Sequence, residues 1–134
     1  MNIETYVRAL VAQFAIQEGQ RYGGINNMLG VCHVIRNRVM AGWGDWREVI
    51  QHAAEKRGTI YPDELPDIRV ASVRALLGRI DEIYARTDLI DLTGGALFYY
   101  DPTFPIEKWF KEGILDRPDD HKRVAHIGPV WFYK

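Results

Sequence analysis

The chain has 134 residues, a formal net charge of −1 and 47% hydrophobic residues, which predicts one domain over residues 1–134 that buries roughly two thirds of its unfolded surface. Lysines and arginines are scattered among matching acids, and the run Asp119–Arg123 is short and mixed in sign, so no nucleic-acid partner is expected. No stretch approaches the ~20 apolar residues of a membrane span, and the single Cys32 excludes an internal disulfide and a cysteine-rich zinc site.

Hydrophobic spacing predicts a first helix from an Asn2 cap to about Gly19, its stripe formed by Ile3, Val7, Leu10 and Phe14. One more step of four lands on Glu18. The loop "GQRYGGI" follows, and Asn26 or Asn27 is expected to cap "MLGVCHVIRNRVMAG". That segment is apolar around most of its circumference and reads as a buried central helix ending at Gly42.

Asp45 and Glu48 form a D-x-x-E capping pattern for "WREVIQHAAEKR", which stops at Gly58. "GTIYPDELPD" is punctuated as a loop by two prolines. A long helix is predicted from about Asp67 to Arg86, with Val70, Val73, Leu76, Leu77, Ile80, Ile83 and Tyr84 facing inward. "GGALFYYDP" reads as a short strand, Pro105 opens a short helical "IEKWFKEG", and "RVAHIGPVWFYK" reads as two strands joined at Gly128-Pro129. The expected class is α+β, mostly α: four main helices, then a small antiparallel sheet.

Glu18 raises the sharpest chemical question. A helix C-terminus carries partial negative charge and disfavours a carboxylate. Two readings stand side by side. The side chain turns to solvent or pairs with Arg21, or it sits in a partly apolar cleft that raises its pKa and makes it a general acid. Among the histidines, His33 on the buried helix reads as a satisfied core residue, while His126 in a strand is a candidate groove residue. None of the four histidines has metal-ligand spacing, so neither a metal nor another cofactor is expected. Aromatic residues crowd the last third of the chain, from Phe98, Tyr99 and Tyr100 through Trp109 to Trp131 and Tyr133. Strand alternation sends half of them to each face, so some build the core and others are available to stack on sugars or a protein partner.

Three segments together resemble the SleB-like cell-wall hydrolases of the spore-cortex-lytic type. These are "AIQEGQRYGGINNMLGVCHVIRNRVMAGWGDW", "DLTGGALFYYDP" with Trp109 downstream, and "AHIGPVWFYK", in the family's order and across nearly the whole chain. The resemblance implies a lysozyme-like domain acting on peptidoglycan glycan strands. Glu18, nineteen residues before Asn37, matches the family's glutamate and would be general acid, then general base. Thr93, Tyr99 and Tyr100 would form the cleft wall and Trp109 would floor a subsite; His126, from its place in the strand, is added as a substrate contact. A lytic transglycosylase with one glutamate is implied, although Asp45, Asp91 and Asp101 are available as a second carboxylate for hydrolysis. The chain departs from the pattern in having no Gln-x-Phe-Ser segment after the third helix and no histidine after Ile127-Gly128. A non-catalytic binding or assembly module on the same scaffold is the alternative. The N-terminus lacks signal-peptide features, so synthesis in the cytoplasm is expected, with access to the wall as a phage-type lysin released by a pore, in a particle or by another export route.

Overall fold

The computed structural model describes residues 5–22, 24–57, 71–85 and 89–134. Four helices come first: α1 (Thr5–Tyr22), α2 (Ile25–Met40), α3 (Trp46–Arg57) and α4 (Ala71–Ala85). Strand β1 (Phe98–Tyr100), the short helix α5 (Lys108–Phe110) and the hairpin β2 (Arg123–Ile127) and β3 (Val130–Tyr133) follow. The molecule is mostly helical with one three-stranded antiparallel sheet of order β1-β3-β2. Among the described residues, no helix is long and apolar enough to cross a membrane.

The stripe on α1 goes inside: Val7, Leu10 and Phe14 are buried, and Glu18 continues their face. The helix does not stop near Gly19 but runs on to Tyr22, so Glu18 lies one turn inside its end. Asn2, Ile3 and the side chain of Arg21 lie outside the described residues.

Helix α2 is the central helix. Its residues from Leu29 to Ile35 are buried without interruption, between α1, α3 and α4. It starts earlier than the asparagine-cap reading expects. Gly24 occupies the cap position, its carbonyl accepts the Met28 N–H at 3.1 Å, and Asn27 is carried into the first turn and buried. The helix closes at Ala41, just before Gly42, as expected.

The cap of α3 forms as the pattern predicts. Glu48 N–H donates to Asp45 Oδ1 at 2.8 Å, and Asp45 N–H donates back to Glu48 Oε1 at 3.3 Å. Helix α4 buries Leu76, Leu77, Ile80 and Ile83. The predicted loop "GTIYPDELPD", Gly58, Asp67, Val70, Arg86 and the side chain of Tyr84 lie outside the described residues. Pro105 does not itself open a helix: Glu107 is still extended, α5 begins at Lys108, and the chain then widens into a π-helical turn over Lys111–Leu115.

In the sheet, Phe98, Tyr99 and Tyr100 pair with Tyr133, Phe132 and Trp131, while His126 pairs with Trp131 and Ala125 with Phe132. Alternation therefore puts Tyr99 and Phe132 on the inner face, where both are buried. Tyr100, Tyr133 and Trp131 share the outer face. There Phe110 packs against Tyr100 and Tyr133, with ring centroids 4.9 and 5.9 Å apart. The inner face meets α2 at Gly30, where an added Cβ would lie 3.0 Å from Phe132 Cζ.

Candidate functional site

A groove of about 250 Å³ opens between α1, α2, α3, β1 and the α5 segment. Phe14 reaches it from α1, Arg38 from α2, His52 and Ala53 from α3, Phe98 and Tyr99 from β1, and Trp109 and Ile114 from the last helical segment. Trp43, in the turn between α2 and α3, completes the wall.

Its walls are largely aromatic. Trp43 is 46% exposed and packs at 5.5 Å against the Phe98 ring. The Arg38 guanidinium lies 5.1 Å from the Trp43 ring centroid, and its Nε–H donates to Leu97 O at 2.9 Å. A backbone carbonyl thus holds a cation against an aromatic face at the rim. Trp109 stands edge-on to Phe110 and donates its indole N–H to Glu107. Two exposed indoles and a buried phenol offer flat apolar faces with polar edges, chemistry suited to sugar rings.

Glu18 is a buried carboxyl, 4% exposed, one helical turn beyond the groove residue Phe14. Glu18 does not itself line the groove; of the residues proposed from sequence, Tyr99 and Trp109 do. Tyr100 does not join them: its ring packs instead against Phe110 and Tyr133. His126 is on the outer sheet face, exposed and stacked on Trp131 at 4.0 Å. Thr93 is fully buried and acts within its own loop. Its hydroxyl donates to Asp91 Oδ1 at 2.6 Å, so it is not a cleft-wall group.

Asp91 organises that loop completely. Oδ1 accepts from the Thr93 hydroxyl and from Thr93 N–H at 2.8 Å; Oδ2 accepts from Asn37 Nδ2 at 2.8 Å and Gly95 N–H at 3.0 Å. Gly94 and Gly95 let the loop fold back on this carboxylate, with φ of 66° and 84°, where other residues are strained. Burial raises the Asp91 pKa, but hydrogen bonds from Thr93 and Asn37 outweigh it and hold the carboxyl below its ordinary value. Asp101 likewise accepts from Thr103 N–H and Oγ1, and Asp45 caps α3. None of these three carboxylates lines the groove.

Arg38, Trp43, His52 and Phe98 are groove residues that site reasoning from sequence missed. Trp43 did carry a signal: it sits between two glycines, outside any periodic stripe that would bury it. Arg38 shows no such signal, since its role depends on a carbonyl 59 residues away.

The segments that carry the family resemblance meet in space. Asn37 and Arg38 hold residues 91–97 through Asp91, Ala96 O and Leu97 O, and β3 pairs with the strand that follows. No family model, curated protein or solved structure matches this chain. Among the described residues, no group of three or more His, Cys, Asp or Glu side chains could hold a metal ion.

Proposed function

We propose that this protein is a peptidoglycan-degrading glycosidase that cleaves the β-1,4 bond between N-acetylmuramic acid and N-acetylglucosamine as a lytic transglycosylase. The observation that carries the reading is the relation of Glu18 to Phe14: a buried carboxyl one turn along α1 from a residue lining an aromatic groove. Desolvation favours the neutral form of such a carboxyl, the form a general acid needs. The groove sits between exposed indoles suited to stacking on a glycan.

In the proposed reaction Glu18 gives its proton to the glycosidic oxygen as the C1–O bond breaks. Its carboxylate then takes the proton of the muramic 6-hydroxyl, whose oxygen bonds to C1 and leaves a 1,6-anhydro end. The turn duties of Asp45, Asp91 and Asp101 favour this one-carboxylate route over a hydrolysis that needs a second acid. An enzyme of this kind would reach the wall as a phage-type lysin does, through a pore or in a particle.

The test is mass spectrometry of fragments released from purified peptidoglycan by the wild-type protein and by Glu18→Gln. The expected result is 1,6-anhydro-muramyl ends from the wild type and a loss of about 10²–10⁴ in rate in the variant. Reducing ends would replace the transglycosylase with a hydrolase. No fragments from any wall type would overturn the enzyme reading in favour of a binding or assembly module.

A further inference from the structure

A second groove, of about 410 Å³, lies between α2, α4 and the segment leading to β1. Its volume is within the range of small-molecule sites. Leu29, Ile83, Leu89 and Leu92 supply aliphatic walls, and Ile90 stands at the rim, 82% exposed. Among the described residues the ionisable groups lining it, His33 and Arg79, are both basic.

His33 is 7% exposed. Its Nδ1 lies 3.8 Å from Asp91 Oδ1, too far for a hydrogen bond, and makes none among the described residues. Asp91 already accepts four hydrogen bonds from Thr93, Asn37 and Gly95. Its charge is therefore largely satisfied by the loop. The Arg79 side chain is more than half exposed, and its Nη1 lies 3.9 Å from Glu82 Oε2 one turn along α4, a weak contact at such exposure. Among the described residues Arg79 is thus the cation lining this groove, and the Asp91 carboxylate beside His33 is taken up by its own loop.

We propose that this groove binds a small aliphatic carboxylate, its chain among Leu29, Ile83, Leu89 and Leu92 and its anionic head against Arg79 and His33. The aliphatic walls suit a hydrocarbon chain, whereas the aromatic groove offers flat faces for sugar rings. Charge sign selects the head group: an anion gains from Arg79, whereas an amine of the same length is repelled.

The test is an NMR titration of the intact protein with octanoate, and with 1-octanol as the uncharged probe of equal chain length. Octanoate is expected to give saturable shifts in the methyl signals of Leu29, Ile83, Leu89 and Leu92 and in the His33 ring. Octanol should bind more weakly at the same signals. Arg79→Gln, an exposed substitution that leaves the core intact, should weaken octanoate about fivefold and leave octanol unchanged. Equal affinities for the two probes, an Arg79→Gln protein that binds octanoate as the wild type does, or octanoate shifts confined to the aromatic groove would each overturn the proposal. So would the absence of saturable shifts.

Discussion

Asn37 Nδ2 lies 2.8 Å from Asp91 Oδ2 and joins the central helix to the loop before β1 across 54 residues of chain. The same amide donates to Ala96 O at 3.0 Å, so both its N–H groups are used on one loop. This junction, together with the Arg38–Leu97 bond and the pairing of β1 with β3, positions β1 and so Phe98 and Tyr99 in the aromatic groove. It is a structural joint on which the site depends.

Asn37→Ala removes both donors and leaves Asp91 Oδ2 and Ala96 O each short of one partner. A loss of about 1–3 kcal/mol is expected in urea unfolding. The double variant Asn37→Ala/Asp91→Ala should lose less than the sum of the single changes, because the two residues share one network.

Acidification should destabilise the fold in two steps. Burial lowers the His33 pKa from 6.5; Asp91 opposes this, and Arg36 and Arg79 reinforce it. A depressed histidine stays neutral in the fold while the unfolded chain takes up a proton, so its contribution is complete above 6.5 and falls as pH drops below that value. Asp91, held below 3.8, adds stability that is present above 3.8 and lost as pH falls through the folded value. Urea midpoints measured between about pH 7.5 and about pH 3 should show both slopes. His33→Gln should flatten the first slope; Asp91→Asn should flatten the second and, by removing the charge that opposes the His33 shift, steepen the first.

Two helical glycines should respond differently to a larger side chain. Gly78 on α4 has no atom within 4 Å of an added Cβ, so Gly78→Ala should stabilise by about 0.5–1 kcal/mol. Gly30 on α2 would place that Cβ 3.0 Å from Phe132 Cζ and 3.4 Å from Thr93 Cγ2. The clash should cancel the helical gain, and Gly30→Val should destabilise by about 1–3 kcal/mol. Thermal unfolding of the three variants checks the contrast.

Cys32 is fully buried in α2, and burial pushes its thiol up to about 12. The thiolate, which is the reactive form, is therefore scarce at neutral pH. A disulfide-exchange reagent should leave the native protein unmodified and label one thiol per chain in urea. Rapid labelling without denaturant would contradict the burial.

Much of the fold was legible in the chain because its signals are local. The α1 stripe, the apolar girth of α2, the Asp45–Glu48 cap and the Gly128-Pro129 hairpin each depend on residues a few positions apart. Boundaries fared worse. Periodicity does not record that Gly24 O accepts from Met28, nor that α1 continues through Gly19 to Tyr22.

The sequence by itself determined the order of the main helices and strands, the stripe on which Glu18 falls, and the placing of aromatic side chains on alternate sides of β1, while the structure decided that Glu18 is buried. Only the tertiary structure decided which of those aromatics share a groove. It turned Tyr100 and His126 to the outer sheet face, committed the Thr93 hydroxyl to Asp91, and brought Arg38 and Trp43 to the groove beside Phe98. The physical reason is one of range. Helix faces and strand alternation follow from spacing along the chain, whereas a groove is made by segments that meet only when the loop before β1 closes on Asn37.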